Sequence, residues 1–169
     1  MAQKIEIVEK EIGHVLEIEE NASMLKLPSL MGKDLTLILD YMKEKNVTPE
    51  EAPYGRYLDI DWDSQMKKGL LADMIDVFTK KWHFTVGFPT QRELEQSGNI
   101  KHKFFEKKKY VQTTHMGPYQ KVGKTYKSMY IWAKNENLEL ENISIEFYLN
   151  DPKETKKNDL KTLVLIPIK

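Results

Sequence analysis

Apolar side chains recur at every second position through Ile143, Ile145, Phe147 and Leu149, the period of a pleated strand with one apolar face. The opposite face carries Ser144, Glu146 and Tyr148. Other stretches read as extended. Lys4 to about Glu19 is rich in Ile, Val and Leu, with Gly13 as a bulge or break. YGRYLDIDW, WHFTVGFP (closed by Pro89), FFEKKKYVQTTH and LKTLVLIPI follow. Between them the period changes. After Pro28 and Ser29, the spacing of Met31, Leu35, Ile38, Leu39 and Met42 predicts a helix ending near Asn46. Tyr119, Val122, Tyr126, Met129, Tyr130 and Ala133 make a second helical stripe, with Pro118 where a first helical residue would sit.

The order strand, helix, strand, strand therefore occurs twice. LDYMKEKNV and IWAKNENL end the two helices, RYLDID and FYLND are the strands that follow, and VGFP and VLIP close each half. The expected modules span about 1–90 and 104–169, and the polar QRELEQSGNIKHK, residues 91–103, reads as the linker. In MKKGLLADMIDVFTKK, residues Leu70, Leu71, Met74, Ile75 and Phe78 fall at helical spacing, so an added amphipathic helix is expected near residues 66–80. It either packs on the core or roofs a pocket.

Composition narrows the function classes. A chain of 169 residues with 31% charged residues suits one globular domain with a sizeable core. Basic and acidic residues are equal at 26 each, so net charge gives no argument for nucleic acid or an anionic membrane surface. MAQKIEIVEK leaves no room for the apolar core of a signal peptide, and no apolar run approaches the roughly 20 residues of a spanning helix. A cytoplasmic location is expected. The absence of cysteine excludes disulfides, thiolate chemistry and Cys-based zinc sites.

Several constellations invite a chemical reading. Trp132 and Tyr41, paired by the repeat, lie off the apolar stripes of their helices. They wall a groove between the helices, cap their own cores or lie on the surface. Tyr57 and Tyr148 are a second repeat-related pair, and Tyr148 shares its strand face with Glu146. A carboxylate roofed by rings suits a cationic or flat aromatic compound, each ring face attracting a cation by roughly 0.5–2 kcal/mol. By spacing alone, the solvated-face reading of Glu146 is preferred, because Glu is rarely buried.

Asp59, Asp61 and Asp63 alternate along the expected strand of the first half, about 7 Å apart, with nothing spaced to complete a metal shell. His14, His83, His102 and His115 show no metal-ligand spacing. Neither a metal nor a cofactor is expected. KHKFFEKKKY reads as the wet side of a lysine-protected strand rather than a nucleic-acid grip.

HMGPY at 115–119, the helix carrying Trp132, IEFYLNDP and LVLIPI together resemble the GyrI-like (gyrase-inhibitor-like) effector-binding family. That family also supplies the ligand-binding domain of many AraC-type and multidrug-sensing transcription regulators. The resemblance is specific over about residues 104–169, with WHFTVGFP a weaker match in the first half. It implies an α+β fold: two pseudo-twofold-related strand-helix-strand-strand modules sharing a curved antiparallel sheet, with two main helices, the added helix and a ligand cleft. By resemblance, Glu146 matches the acidic residue at the cleft centre, Tyr148 and Trp132 match aromatic positions, and Tyr119 closes the Gly-Pro-Tyr turn. The chain departs from the regulators in showing no DNA-binding segment, and from the family in the added helix.

The function expected first is stand-alone binding of flat, amphipathic or cationic small molecules. Glu146 would supply charge, and Trp132, Tyr148, Tyr119, Tyr57 and Tyr41 the walls. Two others compete. Some members of the resembled family hydrolyse cyclopropane-containing DNA-alkylating compounds, and Glu146 would there activate water. The family name also suggests inhibition of a topoisomerase by protein contact.

Overall fold

A computed structural model describes residues 4–67 and 80–169. The expected added helix lies almost wholly outside the described residues. Only α2 (Trp62–Lys67) is seen at its start. The first module contains β2 (Gly13–Ser23), α1 (Leu27–Glu44), β3 (Tyr54–Tyr57) and β4 (Lys81–Pro89). The second repeats it as β6 (Lys108–Met116), α3 (Val122–Asn135), β7 (Ser144–Tyr148) and β8 (Lys161–Pro167). With β1 (Glu6–Lys10) and β5 (Lys101–Phe105) they form one antiparallel sheet in the order β1-β6-β8-β7-β3-β4-β2-β5. The fold is the expected α+β one, a curved antiparallel sheet carrying helices.

The order reads as its own reverse when the modules are exchanged. β3 and β7 meet at the centre, Gly55 opposite Glu146 and Tyr57 opposite Ser144. At the ends, the leading strand of each half pairs with the other half: β1 with β6, and β5 with β2. Glu6 faces Gln112, Lys10 faces Lys108, Gly13 faces Phe105 and Glu17 faces Lys101, one register carried through the bend between ladders. Gly13 makes that bend at φ +77°, a region that favours glycine.

The helices end alike. Asn46 and Asn137 adopt φ +55° and +57°. In each case the following N–H reaches back to the helix, Val47 to Met42 O at 2.8 Å and Leu138 to Ala133 O at 2.9 Å. These are Schellman closures with Asn in the usual glycine position. Both pairs share the separation of Tyr57 and Tyr148, so the repeat in the sequence is a repeat in backbone geometry.

Alternation along the strands decides which face the helices cover. Leu16, Ile18 and Phe88 pack with Ile38, Tyr41 and Met42 of α1. Val111, Val164 and Ile166 pack with Met129 and Ala133 of α3. The residues between them, Val15, Tyr54, Tyr110, Ile145, Phe147 and Leu165, form a separate core on the other face. Glu146 and Tyr148 thus project toward the helices, whereas the apolar alternation Ile145, Phe147 points away.

Three expectations change. YGRYLDIDW is a strand only through Tyr57, because Asp59 takes φ +54° and Asp61 accepts the Ser64 N–H at 3.0 Å to start α2. Pro118 is extended at ψ 141° and precedes a short 3-10 turn, Tyr119–Lys121, rather than opening the helix. The stretch 91–103 is not simply a polar linker, since Leu94 and Ile100 enter the first module's core and Lys101 begins β5.

Candidate functional site

Glu146 is 5% exposed, on the central strand of a face lying between α1 and α3. Its Oε1 accepts the Tyr126 hydroxyl from α3 at 2.5 Å, and its Oε2 accepts the Tyr148 hydroxyl at 3.2 Å. The Tyr148 oxygen lies 3.2 Å from that of Tyr57, and the Tyr126 oxygen lies 2.9 Å from Ser144 Oγ. The Tyr119 ring meets the Tyr148 ring edge-on at 5.5 Å. Trp62 of α2 backs Tyr126 with ring centroids 5.6 Å apart, and its indole N–H is fixed on Glu141 O. The site is therefore a carboxyl group in a shell of phenols.

Gly55 makes room for this arrangement. A Cβ there would lie 2.7 Å from the Tyr148 hydroxyl and 3.2 Å from Met31 Cε of α1. Only a residue without a side chain lets Tyr148 lie across the central strand pair.

Burial pushes the Glu146 carboxyl above the ordinary range, against the opposing pull of its two phenol donors. Burial and the nearby carboxylate also raise the hydroxyls of Tyr57, Tyr119 and Tyr126. Tyr148 is raised by burial, Tyr57 and Glu146. Among the described residues, no Lys, Arg or His forms an ion pair with Glu146.

Glu17 provides the contrast. It is as deeply buried, on the opposite face of the sheet, but Oε1 receives Arg56 at 2.8 Å and Lys103 at 3.0 Å. Its Oε2 receives Tyr54 at 3.0 Å and Thr85 at 2.8 Å. Burial alone would raise this carboxyl, but Arg56, Lys103 and Thr85 outweigh it and hold it low. Of the two buried glutamates, one has its counter-charges built in and the other has none among the described residues.

The sequence candidates divide accordingly. Glu146, Tyr148, Tyr57 and Tyr119 come together. Tyr41 does not join them: it is 8% exposed in the first module's core, and its hydroxyl donates to Glu95 O at 2.7 Å. Leu39 is 39% exposed, so the stripe of α1 is rotated from the expected one and runs through Ile38 and Tyr41. Trp132 packs on the second module's core, without a hydrogen bond or ring contact to the Glu146 cluster among the described residues.

Two neighbours, Tyr126 and Trp62, escaped the sequence reading. Tyr126 lies in the apolar stripe of its helix, where its spacing gives no sign of a polar role. Its signal was the hydroxyl, which needs a partner once the ring is buried. The three aspartates diverge, Asp59 to His83, Asp61 to the start of α2 and Asp63 to Tyr130. No metal-ligating cluster occurs among the described residues. No described helix is long and apolar enough to cross a membrane.

The two exchanged modules share one curved antiparallel sheet, and the phenol-ringed Glu146 lies at their junction. The sequence profile of the GyrI-like small molecule binding domain matches residues 69–169, and the chain belongs to that family. Solved structures agree in fold. The C-terminal domain of EcmrR superposes with a TM-score of 0.69 at 17% identity, covering 100% of this chain and 99% of that one. SAV2435, solved bound to tetraphenylphosphonium, gives 0.61 at 9% identity, covering 100% and 94%. A hydrolase encoded by lin2189 of Listeria innocua gives 0.65 at 15% identity, covering 98% and 92%. No protein of curated function matches.

Proposed function

We propose that this domain captures aromatic, lipophilic monocations, with Glu146 as counter-charge and Tyr148, Tyr119, Tyr57 and Tyr126 as walls. One observation carries the reading: Glu146 is a buried carboxyl whose described partners are phenols, with no counter-cation, while Glu17 in the same sheet has two. An acid left in that condition costs stability in the empty protein, and a cation brought against it recovers the Coulombic term in a low-dielectric setting. The ring faces add cation–π attraction. Tyr148 and Tyr126 cover the carboxyl, so a ligand reaches it by turning them aside. Trp132 and Tyr41 act in this reading as supports of the two cores.

Tetraphenylphosphonium, found on a protein of the same fold, is a suitable probe. Fluorescence titration should show saturable binding by the wild type and at least tenfold weaker binding by Glu146→Gln. Equal affinities would remove the carboxylate from the recognition.

A second reading has one observation in its favour. A carboxyl held above the ordinary range by burial is suited to take a proton from water, as hydrolysis of a cyclopropane-containing DNA-alkylating compound would require. Ring-opened product on incubation with such a compound would support it. Absence of turnover by the wild type would count against it.

A further inference from the structure

The Tyr126 oxygen stands between two buried partners, 2.5 Å from Glu146 Oε1 and 2.9 Å from Ser144 Oγ. A phenol has one proton, so it serves one of these bonds at a time. With Glu146 ionised, Tyr126 donates to the carboxylate and the Ser144 hydroxyl donates to Tyr126. With Glu146 neutral, its own O–H donates to the Tyr126 oxygen, and the phenol proton turns to Ser144 Oγ. Each arrangement leaves the trio hydrogen-bonded with no heavy atom displaced. Tyr148 is placed the same way on Oε2, at 3.2 Å from the carboxyl and 3.2 Å from the Tyr57 oxygen.

The shell of Glu17 is different in kind. Arg56 and Lys103 on Oε1 offer only donors and bring positive charge, so that site favours the carboxylate even though the Tyr54 and Thr85 hydroxyls on Oε2 could turn.

The groups facing Glu146 can be followed element by element. Tyr126 comes from α3, and Tyr148 and Ser144 from its own strand. Tyr57 and Gly55 come from β3, Val164 from β8, Tyr119 from the turn before α3 and Met31 from α1. Among the described residues the titratable members are all phenols, and none carries positive charge. Burial without a cation favours the uncharged acid.

Resting on the binding reading above, we propose that Ser144 and Tyr126 let Glu146 stand as the neutral acid in the empty site, so that a permanent cation enters in exchange for one proton. The proton leaves to solvent, and the cation replaces it as the partner of the carboxylate. An uncharged flat compound, by the same logic, enters without proton release. The cleft then takes neutral ligands at low pH and cations increasingly as pH rises.

Tetraphenylphosphonium has no titratable proton, so any proton that appears on its binding comes from the protein. Calorimetric titration in buffers of different ionisation enthalpy should show release rising toward one proton per site. Affinity should strengthen up to tenfold per pH unit through the Glu146 titration and level off above it. Ser144→Ala removes the alternative acceptor, and both the proton release and the pH slope should shrink. Ser144→Thr, which keeps the hydroxyl, should restore them. Tight binding with no proton release between pH 5 and pH 8 would overturn this exchange while leaving cation capture intact. Failure of the wild type to bind the probe would overturn the reading on which both rest.

Discussion

At the scale of single residues, two buried glutamates of one sheet have opposite electrostatic settings, and their stability signatures should be opposite as well. Glu17 is held below the ordinary carboxylate range. Its contribution is therefore complete above the unfolded value of roughly 4.3 and is lost as pH falls through the lower folded value. Glu146 is held above that range. The native state binds the extra proton, so the empty protein loses stability as pH rises from the unfolded value through the raised one. Glu17→Gln should cost about 3–5 kcal/mol near pH 7, because Arg56 is left buried against a neutral amide. Glu146→Gln should do the reverse. Thermal melting of the empty variant should exceed wild type by a margin that widens as pH rises above the unfolded carboxylate value of roughly 4.3, each 1 kcal/mol of it appearing as about 2–4 °C for a chain of this size. A margin independent of pH would mean that Glu146 does not titrate differently in the folded state. The gain in the empty state and the loss in binding would come from the same atom, a common relation at functional sites.

At the scale of elements, the helix ends are the clearest product of the repeat. Asn46 and Asn137 hold a left-handed conformation that costs a residue with an ordinary side chain about 1–2 kcal/mol. Asn137→Ala should lower stability by about 1 kcal/mol in denaturant unfolding, and Asn137→Gly should leave it equal or slightly higher. Identical losses for both substitutions would point to a side-chain contact instead. The order of helices and strands was legible because the period of apolar residues changes between 2 and 3.6. The ends were less so. YGRYLDIDW alternates beyond Tyr57, yet the chain turns at Asp59, and alternation carries no information about φ. The site was half legible. Glu146 and Tyr148 share a strand face by parity, but β7 has apolar residues on both faces, and only the packing of Tyr126 shows which one the helix covers. Tyr41 illustrates the converse. Taking Leu39 into the stripe rotated α1 enough to turn a core tyrosine toward the groove.

At the scale of the whole molecule, the halves are interlocked rather than merely docked. Each leading strand completes the outer edge of the opposite module, β1 on β6 and β5 on β2. Nothing in single-sequence periodicity announces this exchange, because a strand's pattern states its buried face and not its neighbour. It also explains why residues 91–103, polar in composition, carry Leu94 and Ile100 into the core: they route the chain to the far edge of the first module. Removing the residues through Lys10 would strip β6 of its outer partner and expose a ladder edge rich in unpaired N–H and C=O groups. The truncated chain should self-associate, visible as a concentration-dependent shift in light scattering, while retaining most of its helical signal. A monodisperse truncation as stable as the intact chain would mean that β1 contributes little to closing the sheet.

The exchanged register has a consequence in time. Glu6 pairs with Gln112, so β1 waits until its own module is complete and the second has begun before its ladder can form. The β2 edge likewise stays open until β5 is made. Ladders joining such distant residues close late and slowly, since the entropy of bringing them together is lost before their contacts form. A half-made chain therefore presents an unpaired edge for longer than a meander of the same length would. In the interval the charges on the waiting strands themselves, Glu6, Glu9 and Lys10 on β1 and Glu17, Glu19 and Glu20 on β2, discourage the wrong pairings.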